Sequence, residues 1–166
     1  MKLYTVTDAY ISYLKTIDAK VPNNYSGARP YVGIIIEISG HKYLAPLTSY
    51  KSKQDKLNDN NPTIFKIHEK GNPANKLGMI HLNNMIPVLD SEIKLIDLPA
   101  QEEKYKKLLE FQIAYIKSEQ DTLKKRAEKL HELVSIKNHA HYSTLSCDFN
   151  LLEAKYRKFS PTNSVV

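Results

Sequence analysis

The feature that most constrains this chain is a β-branched run that folds back on itself. Tyr31-Val32-Gly33-Ile34-Ile35-Ile36-Glu37-Ile38 is interrupted by Ser39-Gly40, and His41-Lys42-Tyr43-Leu44-Ala45-Pro46-Leu47 resumes the pattern. Two strand-like runs separated by two turn formers read as a β-hairpin. The continuous apolarity of Ile34, Ile35 and Ile36 predicts a strand covered on both faces, and therefore central in its sheet. A glycine inside such a strand, Gly33, marks a bulge or a close backbone approach.

Around that hairpin the pattern is mixed. Residues 4–6 read as a first strand, and Thr7 followed by Asp8 starts a helix through Tyr10, Leu14 and Ile17 that stops before Pro22. Residues 23–30 and 48–62 are rich in turn formers and read as exposed loops. Residues 64–68 and 77–80 read as strands across a Gly71-Asn72-Pro73 turn, and residues 85–88 as an edge strand, because Pro87 cannot donate to a ladder. Beyond Pro99 the period lengthens. Tyr105, Leu108, Leu109, Gln112, Ile113 and Ile116 share one helical face, and Leu123, Leu130, Leu133 and Val134 form a second stripe after a break at 118–121. A last short helix fits residues 150–159, capped by Asn150 or Asp148, with Leu151, Leu152 and Tyr156 facing inward. A twisted, mostly antiparallel sheet followed by C-terminal helices is the α+β class, expected here as one domain over residues 1–166.

Charge narrows the partners. The 166 residues carry 24 Lys and Arg against 18 Asp and Glu, a net +6 that favours a polyanion. Residues 1–100 and 101–166 each hold 12 basic and 9 acidic residues, so a basic patch must be made by folding. A single cysteine, Cys147, leaves no intrachain disulfide. No run approaches the roughly 18 apolar residues of a spanning helix, and the N-terminus lacks a signal-peptide pattern. The expectation is a cytoplasmic protein with no membrane partner.

Most chemical signatures are missing. Without a phosphate-binding glycine loop or a dinucleotide fingerprint, no nucleotide cofactor is expected. His131-Glu132-Leu133-Val134-Ser135 begins like a zinc-protease helix, but Ser135 stands where the second histidine belongs. His131, His139 and His141 read as exposed polar residues rather than a metal site, and Ser12-Tyr13-Leu14-Lys15 as an ordinary helical turn.

What remains is a polar cluster directly after the second hairpin strand: Thr48, Ser49, Lys51 and Lys53. Hydroxyls donate hydrogen bonds to phosphate oxygens and a flexible lysine supplies a point charge. Such a set suits RNA cleavage in which the 2′-OH attacks its own phosphorus and charge builds on the non-bridging oxygens, chemistry that needs no metal or cofactor. A proton acceptor is still required, and Lys51, Tyr25 or a histidine of suitable pKa fits. Tyr25 and Arg29 lie on the loop that opens the hairpin, where a ring can stack on a base and a guanidinium can grip phosphate.

These residues resemble the ToxN/AbiQ family of type III toxin–antitoxin endoribonucleases. The resemblance rests on Leu3-Tyr4-Thr5-Val6, Arg29-Pro30-Tyr31-Val32-Gly33-Ile34, Tyr43-Leu44-Ala45-Pro46-Leu47-Thr48-Ser49 with Lys51, Leu77-Gly78-Met79-Ile80, Met85-Ile86-Pro87, and Asp148-Phe149-Asn150-Leu151-Leu152-Glu153. It implies a MazF/Kid-like, barrel-like sheet and a sequence-selective, metal-independent endoribonuclease. Such an enzyme cuts A-rich cellular or phage RNA to 2′,3′-cyclic phosphate and 5′-OH ends. It also implies a small pseudoknot antitoxin RNA, processed by the toxin from a repeat precursor, a cyclic protein–RNA hetero-oligomer, and phage defence by abortive infection. Carried over by residue, Thr48, Ser49 and Lys51 match the catalytic strip, with Tyr25, Arg29 and Lys53 as RNA-binding partners. Tyr50 stands where the family often has proline, which leaves Lys53 as a rival to Lys51, and Arg29 stands where lysine is expected. The alternatives of another class are a non-catalytic RNA-binding protein and a helical protein-docking domain.

Overall fold

A computed structural model of the chain describes residues 1–23 and 31–161, so Tyr25 and Arg29 lie outside the described residues. The central hairpin forms as its pattern predicts. Strand β2 (Val32–Ile38) pairs antiparallel with β3 (His41–Ser49), with Gly33 opposite Pro46 and Ile38 opposite His41. A Cβ on Gly33 would lie 2.4 Å from the Ala45 carbonyl oxygen, so the close approach read from the sequence is real.

The other strands extend this hairpin. They are β1 (Leu3–Val6), β4 (Ile64–Glu69), β5 (Asn72–His81), β6 (Ile86–Pro87) and β7 (Ile93–Leu95). The seven-stranded sheet runs β4-β5-β3-β2-β1-β7, with β6 paired to β3 beside that path, and every pairing among the described residues is antiparallel. With β1 on one side and β3 on the other, β2 is central.

Among the described residues five α-helices complete the order: α1 (Asp8–Ile17), α2 (Glu103–Ser118), α3 (Gln120–Ser135), α4 (Ala140–Leu145) and α5 (Phe149–Lys155). Apolar spacing dictates their packing. Tyr10, Ile11 and Leu14 bury one face of α1, Leu109, Gln112 and Ile116 one face of α2, and Leu123, Ala127, Leu130, His131 and Val134 one face of α3. Helix α2 lies against β4 and β5, and α3 against β2. The buried residues of sheet and helices join in one connected cluster. Asp148 caps α5 by accepting from the Leu151 backbone N–H at 3.1 Å, the role its position predicts.

Several local readings are corrected. Strand β3 continues through Thr48 and Ser49, because both pair with β5. The β4–β5 turn is Lys70-Gly71, and Pro73 sits within β5 where the register jumps from His68↔Lys76 to Glu69↔Asn72, an irregular stretch that tolerates proline. Thr7 precedes α1, but its hydroxyl donates to Glu92 Oε1 at 2.8 Å instead of capping the helix. Strand β7 and helix α4 carry no buried stripe, so no periodicity announced them. His131 is buried on the inner face of α3, with Nε2 2.7 Å from Glu153 Oε1. His139 accepts from the Tyr142 N–H at the start of α4, and His141 lies edge-on to Tyr142.

Candidate active site at the end of the central hairpin

The last two residues of β3 are held by a glycine. Thr48 lies opposite Met79 and Ser49 opposite Gly78, and a Cβ at Gly78 would stand 1.9 Å from the Thr48 carbonyl oxygen. Gly78 also has φ +142°, which disfavours any other residue. The Leu77-Gly78-Met79-Ile80 segment therefore brings β5 against the end of β3. Beyond the contact, the buried Gln112 of α2 donates to the Leu77 carbonyl at 2.9 Å and steadies the same strand.

The chain then turns sharply. Lys51 precedes a 3-10 turn, Ser52–Lys56, in which the Gln54 backbone N–H donates to the Lys51 carbonyl at 2.9 Å. The buried Gln54 side chain donates to the Ser49 carbonyl at 3.0 Å. Tyr50 donates its hydroxyl to Asp55 at 2.6 Å, and Lys76 of β5 pairs with the other oxygen of that carboxylate at 2.8 Å. The Lys76 hydrogen bond and then the Tyr50 hydroxyl hold Asp55 below the usual carboxylate range. These contacts fix the segment from Ser49 to Asp55 while leaving both lysines outward. The Lys51 and Lys53 side chains are exposed and form no hydrogen bond or ion pair among the described residues.

A residue that the sequence did not single out completes the group. His81, the last residue of β5, places Nε2 3.0 Å from Thr48 Oγ1. Burial first, and the nearby Lys53 charge second, hold its pKa below the ordinary histidine value, so it is neutral near pH 7. In the tautomer with Nε2 bare, Thr48 donates to it; Thr48 Oγ1 also lies 3.4 Å from the Met79 carbonyl oxygen. The only sequence trace of this role is that His81 follows the apolar Leu77–Ile80 run in alternation with Met79, and the register that sets it diagonal to Thr48 is not local information.

The structure thus joins Thr48 to His81, with the Lys53 charge near enough to bear on that imidazole, and places Ser49 and Lys51 on the adjoining braced segment. Successive strand residues point to opposite sides of the pleat, so the two hydroxyls do not act as one adjacent pair. What results is a partly exposed hydroxyl on a neutral imidazole, near ammonium groups that have no side-chain partner among the described residues. That arrangement can take a proton and stabilise growing negative charge.

The α+β sheet thus carries a hydroxyl–histidine pair, with lysines on the adjoining segment, at the end of its central hairpin. Residues 2–157 match the family described as toxin ToxN of type III toxin–antitoxin systems. The chain is 40% identical over 164 residues to the endoribonuclease ToxN of Pectobacterium atrosepticum, covering 96% of this chain and 94% of that protein. Two solved structures share the fold. One belongs to a bacterial antiviral system regulated by a processed non-coding RNA, with TM-score 0.89, 40% identity and coverage of 96% and 99% of the two chains. The other is AbiQ, a lactococcal anti-phage endoribonuclease of a type III toxin–antitoxin system, with TM-score 0.84, 34% identity and coverage of 95% and 96%. This chain belongs to the ToxN family of type III toxin–antitoxin endoribonucleases.

Proposed function

We propose that this protein is the toxin of a type III system, acting in the cytoplasm as a metal-independent, sequence-selective endoribonuclease on A-rich cellular or phage RNA. A small pseudoknot RNA, cut by the toxin from its own repeat precursor, holds it inactive in a cyclic protein–RNA assembly, and its release stops growth of phage-infected cells. Family membership supports the endoribonuclease class, and the anti-phage and RNA-regulated relatives support the antitoxin partner.

One observation carries the chemistry: the contact between Thr48 and the neutral His81, whose imidazole feels the Lys53 charge. In this mechanism His81, directly or through the Thr48 hydroxyl, takes the proton from the RNA 2′-OH. The O2′–P bond then forms as the P–O5′ bond breaks. Lys51 steadies the charge on the non-bridging oxygens, with Ser49 orienting the nucleotide and Lys53 holding an adjacent phosphate. The departing 5′-oxygen takes a proton from water and His81 releases its own to solvent, so the products are a 2′,3′-cyclic phosphate and a 5′-OH.

The test is cleavage of a long A-rich RNA in EDTA by the parent, Ser49→Ala, Lys51→Ala and His81→Gln, with product ends analysed. Cyclic-phosphate ends from the parent, lost in the variants, are the expected result. Binding without cutting would favour a non-catalytic RNA-binding protein, and cutting that EDTA abolishes would overturn the metal-independent route.

A further inference from the structure

We propose that Gln54 is a positioning residue for RNA cleavage: its side chain ties the segment that carries Lys51 and Lys53 to the end of β3, and so sets where both ammonium groups stand relative to the Thr48–His81 pair. The kinetic part of this inference rests on the endoribonuclease reading above. Within the turn Ser52–Lys56, Gln54 is buried while Ser52, Lys53, Asp55 and Lys56 are exposed. A buried amide is costly unless its polar atoms are bonded. The Gln54 Nε2 donates to the Ser49 carbonyl at 3.0 Å, its backbone N–H to the Lys51 carbonyl at 2.9 Å, and its own carbonyl accepts from the Leu57 N–H at 3.1 Å.

The first of these bonds differs from the other two. The backbone bonds close the turn on itself, whereas the side chain reaches five residues back to Ser49, which is held in the sheet by its pairing with Gly78. Sheet and turn are therefore joined at that point. The other tie between them runs through Tyr50 and the exposed Lys76–Asp55 pair, and exposed ion pairs hold weakly. Placement matters because lysine is a point charge on a flexible stem, so the backbone that anchors it decides which volume the ammonium samples. A misplacement of about 1 Å can cost ~10²-fold in rate. His81 reports that placement. Its register partner on β4 is the apolar Ile64, its neighbour on β3 is the uncharged Thr48 hydroxyl, and Leu82, Asn83 and Asn84, which follow it, carry no charge. The charge that bears on its imidazole is that of Lys53, on the turn that Gln54 holds.

Two variants remove the tie. Gln54→Met keeps the length and loses the donor, and Gln54→Asn keeps an amide one methylene short of the Ser49 carbonyl. Each is compared with the parent by single-turnover cleavage of a long mixed-sequence RNA at saturating protein, by melting curves, and by NMR titration of His81, whose signal is the one lost in His81→Gln. The expected result is a cooperative melt, cleavage slowed roughly 10- to 100-fold, and a His81 midpoint moved upward. Lys53→Met moves the midpoint the same way, and adding Gln54→Met to it moves it no further, because both act through one charge. A purely structural role would lower the melting temperature and leave the midpoint in place. An unmoved midpoint or unslowed cleavage in the folded variants overturns the proposal, and so does failure of both variants to fold, which would make the amide a requirement of the fold instead. A double variant titrating well above Lys53→Met overturns the route through Lys53. A parent that cuts no RNA overturns the endoribonuclease reading and the catalytic role of Gln54 with it, while the titration still judges whether Gln54 holds Lys53 near His81.

Discussion

His81 Nε2 lies 3.0 Å from Thr48 Oγ1 across the β3–β5 pairing, and this contact places a proton acceptor next to the hydroxyl at the end of the central hairpin. Two features keep the imidazole neutral: its partial burial, and the positive charge of Lys53. The Lys53 charge thus disfavours protonation of that imidazole.

A pH dependence follows from that depressed pKa. Cleavage by the parent is full near pH 7 and declines only as pH falls below about 6.5, the ordinary histidine value. Replacing His81 with Gln slows cleavage about 10²- to 10⁴-fold and removes that acid limb. Stability carries the same sign. The unfolded chain protonates His81 first, so the folded state is undiminished above about pH 6.5 and loses stability as pH falls through that value. Melting curves from pH 7.5 to 5 should show a shallower acid decline for His81→Gln, and parallel curves would contradict the assignment.

Gly78→Ala tests the close approach that holds the site. The added methyl meets the Thr48 carbonyl at 1.9 Å, and backbone on backbone cannot yield cheaply. A destabilisation of ~1–3 kcal/mol is expected from overpacking. Urea unfolding measures it, and cleavage should fall as the end of β3 is displaced. An unchanged midpoint would mean that β5 shifts freely.

Glu153 ties α5 to the sheet and to α3. Its Oε1 accepts from the Tyr43 hydroxyl and lies 2.7 Å from His131 Nε2, while Oε2 is 3.8 Å from His41 Nε2. Tyr43 is fully buried, so Glu153→Leu strands its hydroxyl, and a loss of ~1–3 kcal/mol is expected for the orphaned polar groups. Adding Tyr43→Phe to that variant should recover part of the loss. Additive effects in denaturant titrations would refute the coupling.

Cys147 should be chemically silent until the chain unfolds. It is fully buried, and burial pushes its thiol up to about 12. Iodoacetamide at pH 8 should leave the native protein unmodified by mass and label it fully in 8 M urea. Rapid labelling of the native state would show that the α4–α5 connection opens.

Local patterns foretold much of the framework. The β2–β3 hairpin, the close approach at Gly33, the inward faces of α2 and α3 and the Asp148 cap all follow from side-chain size and period within a few residues. The length of β3 did not, because Thr48 and Ser49 join the strand only through β5. Nor did the burial of His131, whose partner Glu153 lies 22 residues further along the chain.

The candidate site divides in the same way. Its hydroxyls and lysines were visible as a polar cluster, since Thr48, Ser49, Lys51 and Lys53 are close in the chain. His81 was not, since a histidine 33 residues from Thr48 becomes its neighbour only when antiparallel register is set. The sequence by itself determined the elements and the charge that must be gathered, because propensity, periodicity and turn chemistry act over short stretches. Tertiary structure alone decided which hydroxyl met a neutral imidazole and which lysines stayed unpaired, because strand pairing, burial and local field exist only once distant segments have packed together.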